Sequence, residues 1–314
     1  MIILYRCFHY ILCKFAKKTN RITFAAGCRE ILCKGKNEAD TRQAPASVSV
    51  RIMKKSIVKL CVLLMTAAIV GSSARAAVAV KHTPSTPYGW YFVPNNTGTT
   101  PLLDPGMKFA EEHGGRYCDH ACENGEKLIY LTFDAGYENG NIEKIVDTLD
   151  AHGVKGSFFI LENLIRRNPE LIKRLADEGH EVCNHTCLHH DMTKSSREEF
   201  DSELHNLEEQ YTALTGKELT RCYRPPEGRF TEQNLDWASE LGYKTIFWSF
   251  AYADWDNNNQ PDPEKSIEKI LSHTHPGMII LLHPTSATNA AILDTLLCKW
   301  EEEGYSFGTV GELE

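Results

Sequence analysis

The feature that most constrains the fold of this chain is an alternation of short apolar runs and longer amphipathic stretches, which starts near Lys127. Apolar runs of strand length, such as residues 128–133 and 278–282, alternate with stretches in which apolar residues recur every three or four positions, such as 197–215. Parallel strands need a long crossover between them, and a helix is the usual crossover. The alternation therefore predicts an α/β protein that forms one closed or nearly closed (β/α) barrel.

Hydrophobic periods and helix stop signals such as Gly179 and Gly216 define the predicted elements. The predicted strands are 128–133, 156–161, 181–183, 222–223, 244–250, 278–282 and 305–310. The predicted helices are 141–151, 169–178, 197–215, 232–241, 263–273 and 287–303. In barrels of this kind the chemistry lies on loops that follow the carboxyl ends of strands, so a site is expected there.

Charge divides the chain near residue 76. Residues 1–76 carry 14 Lys+Arg against 3 Asp+Glu, whereas the remainder carries 20 against 39 and has a formal net charge of 20 − 39 = −19. Nucleic-acid binding depends on clustered Lys and Arg that contact phosphates. Such an acidic body predicts that nucleic acid is not a partner.

Residues 53–76 have the three parts of an export signal. Lysines stand at its start (54–59), residues 60–70 form an apolar run too short for a comfortable membrane span, and Ala74-Arg75-Ala76 places small residues where a signal peptidase reads. We expect cleavage after Ala76 and an exported, extracytoplasmic bacterial protein. An uncleaved segment that anchors the chain in a membrane is the alternative, and no other membrane contact is expected.

An export signal normally stands at the N-terminus, but 52 residues precede this one. The simplest interpretation is that Met53 is the true start and that residues 1–52 are a wrongly assigned extension; a genuine basic arm is the rarer alternative. Residues 77–125 are rich in Pro, Asn, Thr and Gly, and they are predicted to be a linker and loosely structured lead-in. Residues 126–314 then form the barrel domain.

Polar or ionisable side chains follow five of the predicted strands. Burying such groups without partners is costly, so several of them at one edge of a sheet indicate a shared site. These residues are Asp134, His185, His189, Arg224, Asp254 and His283. Together they predict two metal ligands, a carboxylate, a guanidinium, and a separate histidine with its own carboxylate.

His185 and His189 are four residues apart on one loop, a spacing that lets two imidazoles bind one divalent ion. Cys183 and Cys187 bracket His185, so a Cys/His cluster is also considered. An oxidising compartment works against free thiolates, and the two-histidine site is therefore favoured. Six cysteines lie beyond residue 76, an even number that permits disulfides in fifteen pairings. They are Cys118, Cys122, Cys183, Cys187, Cys222 and Cys298.

Five short motifs occur in a fixed order after the predicted strands. They are Thr132-Phe133-Asp134-Ala135-Gly136, His185-Thr186-x-x-His189, Arg224-Pro225-Pro226-x-Gly228, Asp254-Trp255 and Leu281-Leu282-His283. In order and spacing the chain resembles the polysaccharide deacetylases (NodB-homology domain) over residues 127–314. The strings TFDAGYENG, FWSFAYADW and ILLHPTS, with Gly89-Trp90, further resemble the delta-lactam-biosynthetic de-N-acetylases. The resemblance implies a distorted (β/α) barrel that deacetylates N-acetylmuramic acid of peptidoglycan in connection with the spore cortex.

The resemblance also implies roles on the metal side of the site. His185 and His189 would hold a divalent ion, zinc or similar, while Asp134 would take a proton from water and Arg224 would keep that carboxylate ionised. Most of the family has a second acidic residue as a third metal ligand, but here that position is Ala135. The muramic-acid subgroup also lacks this acid. A methyl group cannot ligate, so we expect weak, exchangeable metal binding.

On the other side of the site, the resemblance implies that His283 protonates the leaving amine and that Asp254 tunes its pKa and tautomer. A backbone N–H near Glu227 would stabilise the oxyanion, and Trp255 or Trp248 would form the pocket wall and stack on the sugar. The expected partners are peptidoglycan glycan strands, bound by a monomer.

Three other hypotheses stay open at this point. A deacetylase of the same fold could act on N-acetylglucosamine, chitin oligomers or another exported polysaccharide. A catalytically silent carbohydrate-binding module would keep the groove and release no acetate. A retaining glycosidase is the weakest alternative, because a pair of acids at two strand ends is not evident.

Overall fold

The computed structural model describes residues 85–313, and the predicted export signal lies outside this range. Short strands and helices alternate through the described residues. The strands are β1 (Tyr88–Gly89), β2 (Phe92–Val93), β3 (Leu102–Leu103), β4 (Gly115–Arg116), β5 (Leu128–Ala135), β6 (Ser157–Ile160), β7 (Glu181–Asn184), β8 (Thr220–Tyr223), β9 (Arg229–Phe230), β10 (Lys244–Ile246), β11 (Met278–Leu282) and β12 (Ser306–Gly308).

The helices begin and end at residues whose chemistry favours those positions. The side chain of Ser196 accepts a hydrogen bond from the Glu199 N–H at the start of the longest helix, and Gly216 ends that helix in the left-handed region at φ 71°. No helix among residues 85–313 is long and apolar enough to cross a membrane. The helices are α1 (Phe109–Glu112), α2 (Ile142–Ala151), α3 (Glu162–Arg167), α4 (Pro169–Asp177), α5 (Arg197–Thr215), α6 (Glu232–Glu240), α7 (Pro263–His273) and α8 (Ala287–Glu302).

The main sheet has the strand order β11-β5-β6-β7-β8-β10-β4, and β12 pairs with the first half of β5. Each of these ladders is parallel. The carboxyl ends of β5, β7, β8, β10 and β11 therefore meet at one end of the sheet, and this brings the predicted strand-end residues together.

The sheet curls into a barrel that is closed by isolated contacts instead of a full ladder. Cys118, just after β4, bridges Met278 of β11, and Phe250, beyond β10, bridges Ile280 of the same strand. The Leu281 N–H also donates to the Phe250 carbonyl at 2.9 Å. These contacts join the two ends of the strand order, and the predicted distorted (β/α) barrel is confirmed.

The core has an outer and an inner part because side chains alternate along each strand. On β5, Leu131 and Phe133 belong to the larger apolar cluster, which includes Ile142 and Ile145 of α2. Tyr130 belongs instead to the smaller cluster between the strands. Helices cover the outside and side chains fill the inside, so both faces of β5 are buried, as is usual for parallel sheets.

Residues 85–125, the part of the lead-in that the structure describes, were predicted to be a loose linker but contain short strands and a helix. β4 pairs with β10 through Thr245 and Gly115, and so joins the main sheet. Gly115 approaches α1 so closely that a Cβ atom there would lie 2.6 Å from the Ala110 carbonyl oxygen. A strand of two residues has no detectable period, and for that reason the sequence pattern did not reveal it.

Three other elements differ from the predictions, and one of them is the two-residue strand β9, which was not predicted. Helix α3 was not predicted, because it is a single short stretch of six residues. The predicted strand 244–250 ends at Ile246, and the chain then bends so that the Ser249 N–H donates to the Ile279 carbonyl at 3.0 Å. The remaining predicted strands and helices are observed within two residues of their expected bounds.

Candidate active site

Asp134 faces the inside of the barrel because of the two-residue period of β5. Thr132 is two residues earlier on the same face, and its hydroxyl donates to the Ile280 carbonyl at 2.6 Å. Asp134 is one residue from the carboxyl end of β5, and its side chain is only 11% exposed. A carboxylate at this depth needs partners, and the next strands supply them.

Arg224 follows β8 and is the main partner of Asp134. Its Nη1 donates to Asp134 Oδ1 at 2.8 Å. The other donors of this fully buried guanidinium reach the Ile246 carbonyl at 3.0 Å, and the Thr132 hydroxyl and Phe247 carbonyl at 2.9 and 3.2 Å. The guanidinium therefore lies inside the barrel in a fixed orientation, and the expected pairing with Asp134 is observed.

The histidine loop begins where β7 ends at Asn184. The Asn184 side chain donates to the Leu204 carbonyl at 2.9 Å and accepts from the Thr186 N–H at 2.9 Å. Thr186 and His189 both have positive φ, 71° and 57°, so the chain turns sharply twice within four residues. These turns bring the His185 and His189 rings to a centroid distance of 4.9 Å.

The His185 ring is prepared to act as a ligand. Its Nδ1 lies 2.9 Å from the Arg224 carbonyl oxygen, which requires the proton on Nδ1 and leaves the lone pair on Nε2. Burial lowers the pKa of His185 to about 4 despite the attraction of Asp134, so the ring is neutral at physiological pH. Asp134 Oδ2 lies 3.6 Å from His185 Nε2. The His185 Nε2 lone pair is therefore available to a divalent cation, with the His189 ring beside it.

Electrostatics around Asp134 favour its ionised form. Burial alone opposes ionisation, but the attraction of Arg224, His185 and His283 together outweighs that cost and lowers the pKa of Asp134. A carboxylate that stays ionised beside two imidazoles can accept a proton.

His283 directly follows β11 and pairs with Asp254. The backbone N–H of His283 lies 2.8 Å from Asp254 Oδ2, and the ring Nδ1 lies 2.7 Å from Asp254 Oδ1. The pKa of His283 is raised: burial works against the charged ring, but the hydrogen bond and charge of Asp254 prevail. Since Nδ1 faces the carboxylate, Nε2 is the atom left for a proton donated to a substrate.

A second layer of polar residues holds Asp254, and the sequence did not reveal it. Asn289, near the start of α8, donates its side-chain amide to Asp254 Oδ2 at 2.6 Å and to the His283 carbonyl at 3.0 Å. The Tyr252 hydroxyl in turn donates to Asn289 Oδ1. An Asn in the first turn of a predicted helix looks like an ordinary surface residue, and only the fold places Asn289 in the core.

A cavity of about 760 Å³ opens at the carboxyl ends of the strands. Trp255 is 62% exposed at its rim, and its ring lies 6.4 Å from the His283 ring. Arg224 and Asp254 lie behind the wall and are fully buried. Seven of the nine predicted site residues line this cavity, namely Asp134, His185, His189, Glu227, Trp248, Trp255 and His283.

One aromatic residue of the cavity lining lies outside the predicted set, and one predicted residue has an unusual backbone conformation. Tyr137 is 45% exposed and accepts a hydrogen bond from the Asn257 side chain at 2.5 Å, so it forms a second aromatic wall. In the sequence, only its position three residues after Asp134 indicated that Tyr137 lies near the site. Glu227 has φ 57° and ψ 12°, a left-handed conformation that is costly for a residue with a side chain and common at functional loops.

The cysteines near the site do not join the histidines. Cys183 and Cys187 are both buried, and Cys183 packs with Cys222 inside the barrel. Burial raises the pKa of Cys187 to about 12, so its sulfur is a thiol. The six cysteines within residues 85–313 are all free, and the disulfides that their number permitted are not observed.

Two of the three other groups of ligand-type side chains in the described residues are accounted for by contacts within the protein. His152 is bracketed by Asp294 at 3.0 Å and Glu301 at 3.2 Å, and hydrogen bonds to these carboxylates raise the pKa of the ring. At His180 the Gly156 N–H donates to Nδ1 at 3.2 Å, so the neutral ring carries its proton on Nε2 and cannot ligate there. The three groups are His152/Asp294/Cys298, His113/Glu232/Asp236 and Asp150/Glu178/His180.

The barrel holds a buried carboxylate beside paired imidazoles, and these face a His–Asp pair across one cavity. This arrangement defines a hydrolase of the carbohydrate-deacetylase class. The model of the family described as polysaccharide deacetylase matches residues 122–246. The peptidoglycan-N-acetylmuramic acid deacetylase PdaA of Bacillus subtilis (strain 168) is 36% identical over 257 residues, which cover 81% of this chain and 95% of PdaA. The chain belongs to the polysaccharide deacetylase family, and the resemblance inferred from its motifs is confirmed.

Solved structures agree with this assignment. The structure of Bacillus subtilis PdaA, a family 4 carbohydrate esterase, matches with a TM-score of 0.70 and covers 74% of this chain and 98% of that chain. A family 4 carbohydrate esterase from Bacillus anthracis, 33% identical, matches with a TM-score of 0.60 over 73% of this chain and 96% of that chain. A pseudoenzyme of the same family from Bacillus anthracis, 29% identical, matches with a TM-score of 0.57 and covers 63% of this chain and 68% of that chain.

Proposed function

We propose that this protein hydrolyses the acetamide of N-acetylmuramic acid in peptidoglycan and releases acetate. The observation that carries the proposal is that Asp134 and His283, a proton acceptor and a proton donor, line one cavity together with the histidine pair. The relative named a peptidoglycan-N-acetylmuramic acid deacetylase supports the choice of sugar. The substrate is then a glycan strand of the cell wall.

His185 and His189 are the residues that would hold a divalent cation, zinc or similar. When bound, such a cation supplies Lewis-acid chemistry that polarises the amide carbonyl and increases the acidity of water. Asp134 accepts the proton of the attacking water, because its carboxylate is ionised and directed by the Arg224 guanidinium at 2.8 Å. Arg224 itself is too deeply buried to touch the substrate.

His283 acts at the other end of the scissile bond. Its charged ring donates the Nε2 proton to the nitrogen of the departing sugar amine, while Asp254 holds Nδ1 and compensates the charge. Without this proton the amine would leave as an anion, which is far less stable in water. The Asp134 and His283 roles are thus complementary, one group taking a proton and the other giving one.

The aromatic walls and the Glu227 loop bind the sugar and the developing negative charge. Trp255 and Trp248 offer flat apolar surfaces to the C–H face of a sugar ring. Glu227 and Gly228 line the cavity, and since the Gly228 N–H already donates to the Pro225 carbonyl, the Glu227 N–H is the one that can donate to the oxyanion. The aromatic walls favour a carbohydrate amide over a peptide.

Position 135 governs how firmly a cation is held. Ala135 is fully buried in the outer apolar cluster and provides no ligand atom. Asp134 serves as the proton acceptor, and the two imidazoles alone are a sparse set of ligands, so we infer weak, exchangeable binding. The metal remains bound only when it is present in excess.

The setting of the activity follows from the same inference. Residues 53–76 act as an export signal that is removed after Ala76. The protein works outside the cytoplasm as a monomer on the cell wall or spore envelope. Conversion of N-acetylmuramic acid in the spore cortex, as a step towards muramic delta-lactam, is the matching physiological process.

Mass spectrometry of peptidoglycan fragments tests the reaction. The purified protein with added divalent metal is expected to remove an acetyl-sized mass from muramic-acid residues and to release acetate. Asp134→Asn keeps an oxygen for the Arg224 hydrogen bond but cannot take a proton, so it should be at least about 100-fold slower. Equal rates for the two proteins would contradict the role of Asp134.

The substrate controls separate the remaining hypotheses. Faster acetate release from chitin oligomers than from muropeptides would assign the protein to N-acetylglucosamine or another polysaccharide. Glycan binding without acetate release under any added divalent metal would indicate a silent binding module. Cleavage of the glycan chain itself would indicate a glycosidase.

A further inference from the structure

Trp90 lies in the lead-in, outside every motif that defines the active site, yet it contacts the back of the cavity wall. It follows β1, which pairs with β9 through Tyr88 opposite Phe230 and Gly89 opposite Arg229. This small antiparallel ladder fastens the lead-in to the segment that directly follows the Glu227 loop. The lead-in and the loop are therefore one structural unit.

The Trp90 backbone holds the Glu227 loop from behind. The Trp90 N–H donates to the Gly228 carbonyl at 2.8 Å. A Cβ atom on Gly228 would lie 3.1 Å from the Trp90 Cβ and 2.7 Å from the Trp248 ring, so Gly228 is enclosed between the two tryptophans. Gly228 also has φ 64°, which a residue with a side chain rarely adopts.

The Trp90 side chain holds the opposite segment of the wall. Its Nε1–H donates to the Trp248 carbonyl at 2.9 Å. Its ring stacks on Phe247 with centroids 4.1 Å apart and an angle of 11° between the planes. Since Trp248 and Gly228 both line the cavity, Trp90 holds two segments of the cavity wall at once, Gly228 through its backbone and Trp248 through its indole.

The same segment also supports the proton acceptor. The Phe247 carbonyl accepts from Arg224 Nη2 at 3.2 Å, and Arg224 Nη1 donates to Asp134. A displacement of Phe247 therefore reaches Asp134 through a single intervening side chain. The contacts of Trp90 thus lead to the Glu227 loop, to the Trp248 wall and to Asp134.

We propose that Trp90 is a positioning residue of the active site, which sets the spacing of the Glu227 loop and Trp248 without touching substrate. The kinetic part of this inference rests on the proposed function; the structural part does not. It implies that the functional unit begins at or before Tyr88, well ahead of the 122–246 match to the family.

The test compares Trp90→Phe and Trp90→Ala with Trp300→Phe in the full chain. Trp90→Phe keeps the stack on Phe247 and loses the Nε1–H bond, whereas Trp90→Ala loses both. Trp300 is the matched control, because it is fully buried, donates its own Nε1–H to Thr274 at 2.9 Å and does not line the cavity. Acetate release and melting temperature are measured for each variant.

For Trp90→Ala we expect kcat to fall about 100-fold, which is typical when reacting groups are misplaced by about 1 Å, and for Trp90→Phe about tenfold. KM should change less, since the wall still offers its aromatic surfaces. Trp300→Phe should lower the melting temperature and leave kcat within about twofold. A Trp90→Phe variant that resembles Trp300→Phe in both respects would overturn the proposal.

Amide hydrogen exchange gives a second readout that does not depend on activity. In Trp90→Phe the Glu227 and Gly228 amides should exchange at least about tenfold faster, whereas Trp300→Phe should leave them unchanged. If the natural protein releases no acetate, the proposed function fails and the exchange data still decide the role of Trp90. Unchanged exchange at Glu227 and Gly228 in Trp90→Phe refutes that role.

Discussion

Replacement of Arg224 by lysine is the most informative single perturbation of this site. It preserves the positive charge but not the planar fork that reaches four partners. Arg224 is fully buried and donates to Asp134, to the Thr132 hydroxyl, and to the carbonyl groups of Ile246 and Phe247. A lysine Nζ is a single point, and it cannot stay beside Asp134 and also reach both carbonyl groups.

The expected cost follows from those lost hydrogen bonds. Two buried carbonyl oxygens lose a charged donor at about 1–3 kcal/mol each, so Arg224→Lys should lower the free energy of unfolding by about 4 kcal/mol. That is a large share of the roughly 5–15 kcal/mol by which a domain is usually stable. Asp134 would also lose its fixed orientation, and we expect kcat to fall at least about tenfold.

Urea unfolding and acetate release provide the measurements, with Arg221→Lys as the control. Arg221 lies on β8, three residues before Arg224, but its side chain is 56% exposed and pairs with Glu208. The same substitution should therefore cost only about 0–1 kcal/mol there and leave kcat unchanged. The reasoning is wrong if Arg224→Lys costs less than about 1 kcal/mol, or if the two variants lose stability equally.

Three further predictions concern pH, acid stability and the metal. His283 must be protonated to act as an acid, and Asp254 raises its pKa. The substitution Asp254→Asn should therefore move the alkaline limb of the pH profile of kcat/KM to lower pH. An alkaline limb that does not move would exclude His283 as the acid. Burial lowers the pKa of both His180 and His275 to about 4, and unfolding therefore takes up protons below pH 6.5. At pH 4.5 each of these two histidines should lower the free energy of unfolding by about 2.5 kcal/mol relative to pH 7. Replacing either one by Gln should reduce the difference in the free energy of unfolding between the two pH values by about 2.5 kcal/mol, as measured by urea titration. Dialysis against a chelator should abolish acetate release until a divalent metal is returned, and stoichiometric zinc in the dialysed protein would contradict weak binding.

The sequence by itself determined most of the barrel strands along the chain and most of the chemistry at their ends. Apolar runs of strand length separated by amphipathic stretches leave few arrangements other than a parallel sheet covered by helices. Once the strands of a barrel are known, the residues after them share one edge. That is why Asp134, His185, His189 and His283 could be expected in one cavity before any distance was known.

Tertiary structure alone decided how those residues are oriented. The proton of His185 is placed on Nδ1 by the Arg224 carbonyl, 39 residues away, and Asp254 is held by Asn289 from a helix 35 residues further along. The short strand β4 and the contacts of Trp90 belong to the barrel only because distant segments pair with them. Such contacts leave no local period, since a hydrogen bond across the fold needs only one residue at each end.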